Sequence, residues 1–160
     1  MTDQLERDIL DYRSYHSHPV NKLIHFFCIP VIMYSIIVTF GKFYFSVYKH
    51  KNHKFQFHMY FDEAIVLFYN IYYLSYGFKI GVLMFLYNFI FYILSLKIYK
   101  HLNHSNTITF YLFLSAFLIQ FIGHFIEGSR PAMFVGLKQT LLQAPLFNLN
   151  YIYPNLLTKY

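Results

Sequence analysis

Tryptophan is missing from the 160-residue chain, cysteine occurs once, and only 12% of the residues are charged, with Asp and Glu contributing seven. Each scarcity excludes something. A soluble domain draws about a quarter of its residues from Asp, Glu, Lys and Arg, so half that share leaves too little polar surface for a globule in water. The lone thiol, Cys28, lies in an apolar run and can form neither an intrachain disulfide nor a thiolate zinc cluster. No GxGxxG, P-loop, G-x-S-x-G elbow or H-E-x-x-H occurs, so the chain offers no nucleotide site, no flavin site and no zinc-protease helix. The net charge of +6 and pI of about 9.3 come from the shortage of acids rather than from a basic patch, so nucleic acid is not an expected partner. What is abundant is apolar: 57% of the residues are hydrophobic and the mean hydropathy is +0.36. This is the composition of a membrane protein. The 20 Phe and 17 Tyr, among many Ile, Asn and Lys, have the character of A/T-rich codon usage. Polar residues inside apolar runs therefore carry more information than any single aromatic.

The pattern predicts an all-α, multi-pass membrane helical bundle with about four transmembrane helices, forming one integral membrane domain over residues 1–160. Residues 1–11 hold four of the seven acids and do not read as a secretory signal, which would open with basic residues before an apolar run. Leu5, Ile9, Leu10 and Tyr12 give them a weak helical periodicity, expected as a short interfacial helix within 1–20. Transmembrane helices are expected near 23–40, 64–78, 80–96 and 108–126. The first spans roughly 27 Å at a helix's rise, enough for most of a hydrocarbon core, and Pro30 is expected to kink it. The run 64–78 is short, which suggests a tight hairpin with its successor or a shallow crossing; Gly77, Lys79 and Gly81 mark the turn. Residues 41–60, with Lys42, Lys49, Lys51, Lys54, His50, His53 and His58, read as a solvated loop. The segment 131–160 is expected to be amphipathic, with a stretch ending near Ala144–Pro145. Lys and Arg divide nearly evenly between the two faces, so charge does not set the orientation.

Polar groups at membrane depth are costly and mark function when present. Two clusters have this property. One runs from Tyr15 to His25 at the entry to the first crossing. It contains His16, His18, Asn21, Lys22 and His25, with Asn21 and His25 four apart on one helix face. Pro19 disfavours helix at the residue before it, so a bend there lets His16 fold back toward His25. The other cluster runs from Gln120 to Pro131 at the exit of the last crossing. Gln120, His124 and Glu127 form one helical stripe, and Arg130 follows. An even number of crossings brings the two clusters to the same face at about the same depth. Three histidines beside a carboxylate then make a candidate metal site, since imidazole suits both iron and zinc. The bland alternative is that the histidines are interfacial residues, that Gln120 and His124 bond helix to helix, and that Arg130 favours a helix C-terminus. His18 is close enough to take the place of His16. His50, His53, His58, His101 and His104 fall on the opposite face.

At these clusters the chain resembles the small membrane family of 2-hydroxy fatty acid dioxygenases, whose best-known fungal member removes one carbon from 2-hydroxy fatty acids in phytosphingosine breakdown. The likeness rests on Tyr15-His16, Asn21 to His25 and Ile29-Pro30. It continues at Gln120 to His124, through Glu127 to Arg130-Pro131-Ala132, and at Ala144-Pro145 with Phe147. Residues 41–107 match only in character. The resemblance implies a fatty acid α-oxidation enzyme of lipid and sphingoid-base breakdown. It would convert a long-chain 2-hydroxy fatty acid and O2 into the fatty acid one carbon shorter plus CO2. It implies Fe(2+) as cofactor, with His16, His25 and His124 as catalytic ligands, His18 being the alternative to His16. Asn21, Gln120 and Glu127 would stand behind the ligands, and Lys22 or Arg130 would pair with the substrate carboxylate. The implied setting is the endoplasmic reticulum membrane, in contact with membrane lipid, with both termini cytosolic. The competing expectations are a haem-binding membrane protein with His25 and His124 as axial ligands, a non-catalytic lipid-binding membrane scaffold, and, more remotely, a zinc hydrolase.

Overall fold

The computed structural model describes residues 3–41, 43–49, 56–101, 105–131, 136 and 139–152. After helix α1 (Asp3–Ser14), four non-helical residues lead to Pro19, which opens α2 (Pro19–Phe40). Proline is suited to a helix's first position, where its missing N–H had no intrahelical partner to lose. His18 caps the same end, its Nδ1 accepting the Val20 N–H at 3.2 Å. Helix α2 continues through Pro30 to Phe40. Residues 41–60, expected as a solvated loop, instead contain an antiparallel hairpin of β1 (Tyr44–Lys49) and β2 (Gln56–Tyr60), with a register shift between Ser46 and Tyr48. The β-branched and aromatic residues of YFSVYK suit a strand, a preference that the intervening lysines and histidines obscure. His50, His53 and His104 lie outside the described residues, as do the side chains of His58 and His101.

Helix α3 (Phe61–Leu74) runs back, and α4 (Phe78–His101) reverses again through a turn in which Gly77 has φ 114°, a left-handed conformation open to glycine. Gly81 lets the two helices approach closely: a Cβ there would lie 2.7 Å from Leu74 Cδ1. This is the tight hairpin the short run suggested. Helix α5 (Ser105–Glu127) completes the fourth pass and stops at Gly128, whose φ is 73°. Three of the four passes, Pro19–Phe40, Phe78–Lys97 and Asn106–Glu127, are long and apolar enough to cross a membrane. Helix α3, at 14 residues, does not reach that length. Bulky apolar side chains point outward along the bundle, Phe78 at 79% and Phe125 at 87% exposed, as expected for surfaces solvated by lipid.

The terminal helices are more deeply docked than their sequence suggests. Leu5, Ile9 and Tyr12 of α1 are buried against the α3–α4 turn and the C-terminal elements, and Asp8 accepts bonds from Gln4 Nε2 at 2.8 Å and from the Tyr76 hydroxyl. A π-helical turn (Gln139–Gln143) leads into α6 (Ala144–Ile152). Its carbonyls, misaligned for α-helical bonding, are satisfied by tyrosines of α3: Tyr69 donates to Leu141 O and Tyr73 to Leu142 O, each at 2.8 Å. Helix α6 begins at Ala144, where the expected amphipathic stretch was to end, and is buried at every residue to Asn150 rather than along one face. Thus α1, α6 and the α3–α4 turn cover the end of the bundle where α2 begins and α5 finishes.

Candidate metal centre

The two polar clusters meet at that covered end. Each histidine comes from a different local structure: His16 from the bend between α1 and α2, His25 from the second turn of α2, and His124 from the last turn of α5. Their ring centroids stand 4.4 Å apart for His16 and His25, 4.9 Å for His16 and His124, and 4.9 Å for His25 and His124. One ring nitrogen from each lies within 4.8 Å of the others, and all three residues are buried. Close imidazoles facing one another across a small gap are the geometry of ligands around one ion.

Hydrogen bonds assign the tautomers. His16 Nδ1 bonds to Tyr12 O at 2.9 Å and His25 Nδ1 to Asn21 O at 3.0 Å, both carbonyl acceptors, so Nδ1 carries the proton in each. His124 Nδ1 lies 3.3 Å from Ser129 Oγ, a hydroxyl that donates onward to Tyr15 O at 3.4 Å, and 3.5 Å from Asn21 Nδ2, so its partners do not single out one tautomer. The proton on Nδ1 leaves the Nε2 lone pair of His16 and of His25 available, and His16 Nε2 is buried without a hydrogen-bond partner. Tying Nδ1–H to an oxygen acceptor fixes the orientation of a metal-ligating histidine and raises its basicity. Burial, which disfavours the charged form, lowers the His16 pKa to about 4, so His16 is neutral and its lone pair free at physiological pH. An orphaned buried nitrogen among neutral imidazole donors fits a divalent metal ion.

Glu127 is turned away from this gap. Its Oε1 accepts from the Ser17 backbone N–H, from Ser17 Oγ at 2.7 Å and from the His18 N–H at 2.9 Å, and its Oε2 accepts from Asn21 Nδ2. The carboxylate therefore clamps the His16–His18 bend and the start of α2 onto the end of α5. Asn21 is fully buried between them, and Gly123 makes room for it, since a Cβ at that position would collide with Asn21 Oδ1. His18 is occupied in capping α2 and is not one of the three rings that converge.

A cavity of about 180 Å³ opens from the rings into the bundle. Gln120, one turn before His124, lines it beside the rings, and the rest of the lining is almost wholly apolar. Lys22 and Arg130 are not among the lining residues; Lys22 is half-buried, close enough to bear on the charge of His16, and Arg130 is exposed. A haem between His25 and His124 would need the space beside both rings that His16 occupies.

Sequence reasoning missed several contributors. Tyr12 stacks on His16 with centroids 4.1 Å apart and planes 3° from parallel. Ser17, Ser129 and Gly123 complete the supports. Gly123 carried a signal, a glycine flanked by Gln120 and His124 on a buried stripe; the serines carried none.

A family model described as "2-hydroxy-palmitic acid dioxygenase Mpo1-like" matches residues 2–156. A curated relative, the 2-hydroxy-palmitic acid dioxygenase MPO1 of Saccharomyces cerevisiae, is 32% identical over 143 residues, covering 85% of this chain and 72% of its own length. No solved structure matches.

Proposed function

The chain belongs to the Mpo1-like family and is a dioxygenase, and from that premise we propose that it oxidises long-chain 2-hydroxy fatty acids at a ferrous ion held by His16, His25 and His124. The observation that carries this reading is the set of three buried rings, each with Nδ1 engaged and with one nitrogen of each within 4.8 Å of the others, at the head of an apolar cavity. Imidazole ligands with open coordination positions suit non-haem iron. Ferrous iron, when bound there, would supply a Lewis-acidic centre and would relay the substrate's electrons to O2.

The protein's own part is binding and orientation. The apolar cavity takes the acyl tail, keeping the carboxyl end at the rings. Gln120 offers an amide to the polar end, and Lys22 or Arg130, neither of which lines the cavity, supplies positive charge that draws the carboxylate toward the rings, with Arg130 able to bind it through two N–H groups. Burial under α1 and α6 excludes bulk water from the rings. The reaction balances without a further cofactor: a 2-hydroxy acid and one O2 give the fatty acid one carbon shorter, CO2 and water, the substrate supplying all four electrons. Neither 2-oxoglutarate nor NADPH is needed for this balance. In keeping with the resemblance, the enzyme sits in the endoplasmic reticulum membrane with both termini in the cytosol, acting in sphingoid-base breakdown.

The test is metal analysis of anaerobically purified protein followed by turnover. Wild type should hold one iron and shorten a 2-hydroxy fatty acid, with no Soret band. Alanine at His16, His25 or His124 should remove iron and activity while the protein still accumulates in the membrane. Full activity in His16→Ala with loss in His18→Ala would overturn the ligand assignment, and consumption of the plain fatty acid at the same rate would overturn the reaction.

A further inference from the structure

The cavity below the rings is built from two facing stripes of equal length. On α2 the lining follows His25, Ile29, Ile32 and Ile36, with Met33 beside them, a stripe spaced by four, three and four residues along one helix face. On α5 it follows Phe113, Phe117, Gln120 and His124, with Phe121 beside them, at the same spacing in the reverse direction. Because α2 and α5 run antiparallel, each stripe starts at a histidine and descends eleven residues, about 16 Å at the helical rise. Both therefore end at one depth, with Ile36 opposite Phe113. That depth equals about half of a 30 Å hydrocarbon core, the thickness that the acyl chains of one leaflet fill.

We propose that this slot is an acyl ruler, with Ile36 and Phe113 as its floor, so that these two side chains set the longest 2-hydroxy acid that can place its carboxyl end at the rings. The inference rests on the functional reading above and adds to it the residues that select chain length. Its occupant is a single unbranched acyl chain. Beyond Gln120 neither stripe carries a polar side chain, and the hydroxyls of the other lining residues Tyr69 and Thr140 donate to Leu141 O and Gly136 O. The phenyl groups of Phe113 and Phe117 stack nearly parallel, with centroids 5.9 Å apart and planes 7° from parallel, giving one wall a flat surface. A chain too long for the slot cannot back out through the ring end without withdrawing its carboxyl group from them. A chain too short leaves apolar surface unfilled and binds more weakly. The ruler thus discriminates in both directions, through kcat/KM.

The experiment measures kcat/KM of iron-loaded protein across a ladder of 2-hydroxy fatty acids of increasing length. Raising the floor with Ile36→Phe should move the optimum to shorter chains and cost about tenfold or more on the longest chain that wild type accepts, the scale on which a pocket resolves small changes in apolar length. Lowering it with Phe113→Ala should move the optimum to longer chains. Leu118→Phe, on the outward side of α5 and 54% exposed, should leave the profile unchanged. Iron content reports folding of each variant, and if Ile36→Phe fails to retain iron, the Phe113→Ala profile decides alone. An unchanged optimum in an iron-loaded floor variant, or an equal shift in Leu118→Phe, overturns the ruler. If wild type consumes no 2-hydroxy acid of any length, it is the functional reading that has failed.

Discussion

At the scale of single residues, the centre depends on side chains that never face the gap. Glu127 is the clearest case. Its carboxylate was grouped with the histidines on spacing, and it does share their helix stripe, yet it spends both oxygens on Ser17, His18 and Asn21. A group that holds the bend carrying His16 acts on metal affinity through position. Removing it in Glu127→Ala should weaken iron binding by about 10 to 100-fold, the range seen when a supporting partner of a ligand is lost. Glu127→Gln keeps an oxygen for the Ser17 and His18 N–H groups and should lose less. Iron titration of the two variants separates the roles, because a carboxylate that ligated directly would make Gln as damaging as Ala. The three histidines themselves were legible because imidazole is rare and costly at membrane depth. Tyr12 was not: among 17 tyrosines, nothing in the sequence separates the one that stacks on His16 from those that fill the core.

Among the elements, the pairing of α2 with α5 is the structural premise of the site, and it was readable from an even count of apolar runs. The bend at Pro19 was readable too, because proline restricts the residue before it. Other features were hidden for physical reasons. A helix in lipid is apolar on its lipid-facing side and on its packed side alike, so the Ile29–Ile32–Ile36 and Phe113–Phe117 stripes show no contrast with their surroundings. The π turn and the burial of α6 depend on tyrosine hydroxyls of α3 that lie some seventy residues earlier. Gly123 gives a direct test of the α2–α5 contact. Gly123→Ala places a methyl group against the Asn21 side chain and approaches its Cα to 3.4 Å, an overpacking that costs typically about 1 to 3 kcal/mol. The variant should show a lower melting temperature and weaker iron binding together. Retained iron affinity at unchanged stability would mean that the contact is looser than the structure has it.

For the whole molecule, four passes bring α1 and α6 to the same end of the bundle, where they cover the rings. Both chain termini should therefore report one side of the membrane. Glycosylation-site tags at residues 1 and 160 should be modified alike, and unmodified if that side is the cytosol. Opposite outcomes at the two tags would break the four-pass arrangement and with it the meeting of His25 with His124. The same arrangement places the cavity between helices whose outer faces meet lipid, which suits a substrate that partitions into membranes. The proposed reaction is self-contained, with the substrate itself as the source of electrons. The most direct measurement of that claim is oxygen uptake by purified, iron-loaded protein supplied with a long-chain 2-hydroxy fatty acid and no other reductant. The account predicts one O2 consumed for each CO2 released and each shortened fatty acid formed, with no response to added 2-oxoglutarate; an absolute requirement for 2-oxoglutarate or NADPH would contradict it.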